Sequence, residues 1–211
     1  MEENNFVCFD PGLTTIPEFH HLMLGAIAPR PIAFVSTIDA EGRPNLSPFS
    51  FFNAFGANPP VVVFSPSRRG MDASTKHTYD NVKVVPEVVI NVVTFEMTQK
   101  VSDASADFPK GVNEFEMVGF TMLPSELVKP FRVKESPVQF ECRVMQVIET
   151  GTGKAAGNLV ICEILRMHVN EKMLDARGRI DQEKIDLVGR LGGDYYVRAS
   201  GSALFRLAKP Q

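Results

Sequence analysis

Residues 28–52 read APRPIAFVSTIDAEGRPNLSPFSFF, and the reading of this stretch decides the fold. Ala33 to Ile38 is an apolar, β-branched run of strand type. Asp39-Ala40-Glu41-Gly42 follows as a short turn, with Gly42 where a positive φ is needed. Pro44 to Phe52 returns as the second arm of a hairpin. Pro44 and Pro48 make part of that arm an edge or irregular strand, because proline cannot donate to a sheet ladder.

Working outward, Pro17 to Leu24 predicts a short helix with Thr15 as N-cap and Gly25 as its stop. Val61 to Phe64 has the composition of a fully buried strand. Ser74 to Asn81 predicts a helix that starts at Ser74 or Thr75, and Val88 to Val93 a third apolar strand. Thr94 to Ser105 reads as helical, with Thr94 as N-cap and Met97 and Val101 on one face. Asn113 to Met117 adds a helical turn ending at Gly119. Val138 to Ile148 alternates as a strand, Gly151 to Lys154 turns, and Asn158 to Met167 returns. Lys172 to Ile185 is a polar excursion, Leu187 to Gly193 a loop, and Tyr195 and Leu204 to Leu207 short final strands. Many strands with turn signals and few short helices predict a mostly β, closed or nearly closed barrel in one domain, residues 1–211. No Gly-x-Gly-x-x-Gly joins a strand to a long helix, which argues against a Rossmann domain.

Composition narrows the function classes. A chain of 211 residues with 44% apolar content can bury a substantial core. A net charge of −3 gives no bulk attraction to nucleic acid or to an anionic membrane. The three cysteines, Cys8, Cys142 and Cys162, are odd in number and widely spaced. They make neither a disulfide framework nor a zinc site and favour a reducing compartment. His20 and His21 are neighbours rather than an i, i+4 pair, so no metal site is expected. The start Met-Glu-Glu-Asn-Asn lacks the basic, apolar pattern of a signal peptide. No run approaches the ~18 apolar residues of a membrane span, and the reading is a cytoplasmic protein.

Three polar clusters stand at strand ends. Arg30, made rigid by Pro29 and Pro31, runs into Ser36 and Thr37. Ser47, Pro48, Phe49, Ser50, Phe51 and Asn53 mix hydroxyls with rings, which suits a flat polar heterocycle. Ser65, Ser67 and Arg68, with Lys76 and Thr78 beyond, gather hydroxyls and cations, which is what a phosphate needs. The three together read as a site for a phosphorylated planar cofactor. The phosphate cluster is one and compact, with no second site for an adenylate. No Gly-x-Ser-x-Gly elbow, Cys-x-x-Cys or His-Glu-x-x-His occurs, in keeping with chemistry carried by a cofactor.

The order of the 28–52 stretch, PPVVVFSPSRRG at 59–70, KHTYDN at 76–81, VVINVV at 88–93 and RLGGDYY at 190–196 resembles the flavin reductase-like family of FMN-binding split barrels. That resemblance implies a Greek-key split β-barrel with a few peripheral helices and an FMN site at a homodimer interface. It implies hydride transfer from NADH or NADPH to the flavin, or alternatively a flavoredoxin-like electron carrier or FMN-binding module without reductase turnover. A redox partner protein stays open. The family's phosphate-binding turn reads Lys-Asp-Thr, whereas here it reads Lys76-His77-Thr78. The resemblance also places the RLGGDYY segment near the flavin, so that Tyr195 or Tyr196 covers the ring or lines the substrate path, with Tyr195 taken as the candidate. His168, at the end of a strand, becomes a candidate for the nicotinamide site. No side chain is expected to be a catalytic acid or base.

Overall fold

The computed structural model describes residues 5–210. The hairpin forms as its sequence predicts. Strands β1 (Ala33–Ile38) and β2 (Pro44–Phe49) pair antiparallel, with Ala33 opposite Phe49 and Ile38 opposite Pro44. Gly42 has a φ of 80°, and the Asp39 carboxylate accepts the Glu41 and Arg43 amides at 3.0 and 2.9 Å, which pins the turn.

The second arm was expected to run to Phe52. It stops at Phe49. Ser50 and Phe51 turn a corner, and β3 (Phe52–Ala57) starts a new hairpin with β4 (Pro60–Phe64). Then come β5 (Glu87–Val92), β6 (Met122–Leu123), β7 (Arg132–Val133), β8 (Val138–Glu149), β9 (Asn158–Val169), β10 (Leu187–Arg190) and β11 (Tyr196–Ala199). Seven strands form one sheet in the order β2-β1-β5-β8-β9-β4-β3, while β6-β7 and β10-β11 are separate pairs. Every pairing in the large sheet is antiparallel.

The order dictates closure. Its two edges, β2 and β3, are consecutive in the chain and separated only by Ser50 and Phe51. Three Cα steps span at most about 11 Å, so the edges must approach each other. They do not hydrogen-bond, and the Greek-key barrel is split along that seam.

Apolar residues fill two compartments. Ala33, Val35, Phe49, Phe64, Val88, Ile90, Cys142 and Cys162 form one cluster inside the barrel. Phe34 and Leu46 pack outward with Val101, Phe115 and Phe120 in the second. Successive residues of β1 thus enter opposite compartments, which is why all six are buried and the run shows no polar alternation. Burial pushes the Cys162 thiol up to about 12 and the Cys142 thiol well above its ordinary range, so both are inert core residues.

Helix α1 (Ile16–Ala26) is capped by Thr15, whose hydroxyl oxygen accepts the Glu18 amide in a capping box. It runs past Gly25, and the Ile27 amide closes it by donating to Met23 at 2.9 Å. Helix α2 (His77–Val84) starts later than expected. Ser74 donates to Asp72 and Thr75 to Asp80, so neither hydroxyl caps it. Thr94 likewise makes no side-chain cap; a 3-10 turn at Phe95–Met97 precedes α3 (Thr98–Asp103). Helix α4 (Glu114–Val118) ends at Gly119 as predicted.

Two terminal readings are corrected. Residues 187–190, expected in a loop, form β10, with Gly189 as an interior residue. A Cβ on Gly189 would lie 2.9 Å from the Pro29 Cβ, so glycine is needed there for close packing rather than for a bend. Leu204–Leu207 pairs with nothing described, and Phe205 and Leu207 are exposed.

Candidate functional site

The seam of the barrel opens into a cavity of about 1090 Å³. The corner between β2 and β3 supplies Pro48, Phe49, Ser50 and Phe51 to its wall. Ser65, Ser67, Arg68 and Arg69 come from the segment after β4, and Lys76 from the N-cap of α2. Helix α1 contributes His20 and Leu24, the β8–β9 turn Lys154, and the β10–β11 hairpin Arg190, Asp194 and Tyr196. Elements far apart in sequence meet here because the sheet must close at this point.

One end is built for an anion. Arg68 is anchored by its amide to Ala156 at 2.9 Å and by its guanidinium to the Ala73 carbonyl at 3.1 Å and Glu149 at 3.2 Å. Its Nε is buried without a partner. Tyr79 donates its hydroxyl to the same Glu149, fixing the carboxylate that holds Arg68. Arg69 donates to Thr75 O and to Asp107 Oδ1 at 3.4 Å, but the Asp107 carboxylate is exposed. Lys76 Nζ lies 5.6 Å from the Phe49 ring centroid and makes no side-chain hydrogen bond or ion pair among the described residues. Burial pulls the Lys76 ammonium below the ordinary lysine range; Asp107 opposes this and Arg69 adds to it. A buried donor without an acceptor and a cation without a counter-ion are both costly unless a ligand completes them.

Of the residues chosen from sequence, Arg30, Pro48, Phe49, Ser50, Phe51, Ser65, Ser67, Arg68 and Lys76 come together around this cavity. Arg30 is not free for a ligand. It is 5% exposed and donates to Ser50 Oγ at 3.3 Å, Leu24 O at 2.7 Å, Leu191 O at 2.9 Å and Ile27 O. It therefore ties α1, the corner and the β10–β11 hairpin into one wall.

The other choices lie outside the wall. Ser36 is fully buried on β1. Thr37 accepts from Asn81 at 3.0 Å and Thr78 from Asn45 at 3.3 Å, so these hydroxyls lock α2 onto β1 and β2. Ser47 is half-buried on β2, and Asn53 is exposed, its side chain accepting its neighbour's amide at 2.8 Å. Tyr195 is 76% exposed, and its neighbour Tyr196 faces the cavity instead. His77 lines a separate small crevice with Asp39 and Lys110 rather than this cavity. His168 donates or accepts at 2.6 Å with the buried Glu141, away from the cavity.

Sequence reading missed His20, Asp107 and Lys154. They reach the site through tertiary closure and carry no local signal. Arg190 and Tyr196 sat in a noted segment, but only their pairing in β10 and β11 turns them inward. Among the described residues no group of three or more metal-ligating side chains converges. Among the same residues no helix is long and apolar enough to cross a membrane.

Comparison with known proteins agrees with this geometry. A family model described as flavin reductase like domain matches residues 24–184. An uncharacterized protein of Aquifex aeolicus is 38% identical over 188 residues, 89% of this chain and 93% of its own. Component B of nitrilotriacetate monooxygenase from Bacillus cereus superposes with a TM-score of 0.89 at 30% identity, covering 97% of this chain and 100% of that one. The 2-nitrobenzoate 2-nitroreductase of Pseudomonas fluorescens gives 0.84 at 28% identity, covering 97% and 96%.

Proposed function

The chain belongs to the flavin reductase-like family, and on that premise we propose that it is an oxidoreductase that binds FMN along the barrel seam and is reduced by NADH or NADPH. The observation that carries the reading is the unspent cationic end of the cavity: among the described residues the buried Arg68 Nε has no partner, and Lys76, on the same lining, makes no ion pair. This donor set fits a phosphate. Arg68, Arg69 and Lys76 would hold it, with Ser65 and Ser67 as hydroxyl partners, while Phe49 and Phe51 cover an apolar ring system. When bound, FMN supplies the redox chemistry, accepting hydride from the nicotinamide and passing electrons on. The protein's task is to orient that ring and to keep water from it.

The same reading includes a homodimer. Along β3, every residue from Asn53 to Ala57 is exposed, and the strand is a bare sheet edge carrying Phe55 at 69% exposure. Phe6, Phe9 and Phe205 are exposed as well. An open edge with apolar side chains needs a covering partner.

Heat release of the bound cofactor followed by mass determination tests the proposal. FMN is expected, reduced by NADH or NADPH in a stopped-flow mixing experiment. Only FAD, or no flavin after reconstitution, would refute the cofactor reading; bound FMN that neither nicotinamide bleaches would refute the reductase activity. Light scattering across a dilution series tests the dimer.

A further inference from the structure

The cavity of about 1090 Å³ stands at the top of the ~300–1,000 Å³ range of small-ligand pockets, and its lining extends from Lys76 to the β10–β11 hairpin. Two of its cationic groups, Lys76 and Arg30, contact the aromatic corner between β2 and β3. Lys76 is over the Phe49 ring; Ser50, next in the chain, takes the Arg30 guanidinium; and the Phe51 ring meets His20 edge-on at 6.1 Å. Beyond them the Arg30 and Arg190 main chains pair through amide-to-carbonyl bonds of 2.9 and 2.8 Å.

That far end is undercompensated in charge. Arg30 is 5% exposed and makes no ion pair among the described residues. Its charge is held by neutral oxygens, two of them carbonyls at the C-terminal end of α1, where a cation is favoured. Arg190 faces one carboxylate, Asp194 at 3.9 Å, whose side chain is wholly exposed, so solvent screens the pair. Of the five Arg190 N–H groups, one goes to the Tyr196 hydroxyl and one to the Gly193 carbonyl at 2.7 Å. The other three have no partner among the described residues. The guanidinium lies 4.5 Å from the Tyr196 ring centroid, which gives the site a flat wall.

We propose that the part of the cavity between α1 and the β10–β11 hairpin is a second binding site, for a planar aromatic carboxylate, with Arg190 as the group that recognises the anion. The fork of open guanidinium donors matches a carboxylate, and the ring of such a ligand lies against Tyr196 and His20. A ligand carboxylate also supplies a counter-charge near Arg30, which makes no ion pair among the described residues, and adds to the screened Asp194 charge at Arg190. This assignment rests on the FMN reading only in giving the Lys76 end to the flavin phosphate.

Benzoate and benzamide share shape and differ in charge, which makes them the test. FMN-loaded protein is titrated with each, following the shift of the visible flavin band. Benzoate is expected to bind roughly tenfold or more tightly than benzamide. Arg190→Gln should erase that preference, and Tyr196→Phe, which keeps the ring and releases one Arg190 donor, should retain it. Equal affinities for the wild-type protein, or a preference that survives in a folded Arg190→Gln, would overturn the proposal. The wild-type pair of titrations decides the matter even if the variant fails to fold. If FMN does not bind, the function reading fails separately, and the same two titrations are run by calorimetry on the Lys76→Ala apoprotein: a benzoate preference that persists there supports the Arg190 site, and equal affinities overturn it.

Discussion

At the seam, among the described residues, Arg68 keeps a buried Nε without a partner and Lys76 makes no ion pair. At the far end of β8 and β9, an equally polar group is closed on itself. Glu141 has no exposed side-chain surface, yet it accepts the Glu126 amide at 3.0 Å, the Leu127 amide at 2.5 Å and a contact from His168 at 2.6 Å. Arg132 stands 3.9 Å away, and Arg166 pairs with Glu126. Both regions concentrate charge, and residue type alone does not tell them apart. The difference is whether donors and acceptors are spent within the chain. Spent groups hold elements together; unspent groups around a cavity are available to a ligand.

The largest effect should come from breaking the closed group. Glu141→Ala removes a buried ion partner and orphans two amides, at a cost of ~3–5 kcal/mol in urea unfolding. FMN affinity of the folded fraction should not change. The pH dependence has a definite sign. Burial alone would raise the Glu141 carboxyl; the amides of Glu126 and Leu127, and then His168, bring it below its ordinary range. A depressed folded value means the contribution is present above the unfolded carboxylate value and lost as pH falls through the folded one. The wild-type protein should therefore lose stability below roughly pH 4, and Glu141→Ala should lose less over the same interval. A Glu141→Ala variant that stays as stable as wild type but binds FMN poorly would move this group into the site.

Thr78→Val sharpens the comparison from within the sequence motif. Thr78 is 1% exposed and accepts from Asn45, so its loss should cost ~1–3 kcal/mol of stability and leave FMN affinity unchanged. A selective loss of FMN affinity would return Thr78 to the phosphate site. The smallest effect is expected at Tyr195. Its replacement by alanine should change stability by less than ~0.5 kcal/mol and FMN affinity not at all, as judged by flavin fluorescence titration.

Much of this was legible in the sequence where local chemistry dictates local structure. The β1–β2 hairpin follows from a β-branched run, an acidic turn and Gly42. The long β8–β9 pair follows from alternation around residues 151–154. What was illegible depends on partners distant in the chain. Strand β3 exposes Asn53, Ala54, Phe55, Gly56 and Ala57 and has no alternating pattern to announce it. Strand β10 contains Gly189, which reads as a bend until Pro29 is seen packed against it. At the site, the Ser65–Lys76 cluster was readable because its donors lie close in sequence. Thr37 and Thr78 looked equivalent to it, since a hydroxyl does not disclose whether Asn81 or Asn45 already uses it. His168 looked free for the same reason.

The central claim is that the unspent cations at the seam take the flavin's phosphate, and paired titration of the apoprotein with FMN and riboflavin tests it most directly. Each charge-assisted bond to phosphate contributes ~1.5–3 kcal/mol. Lys76→Ala should then weaken FMN roughly 10- to 150-fold at 1.4 kcal/mol per decade, with a much smaller change for riboflavin, which lacks the phosphate. Equal losses for the two flavins, or none for FMN, would contradict the claim and place Lys76 outside the phosphate site.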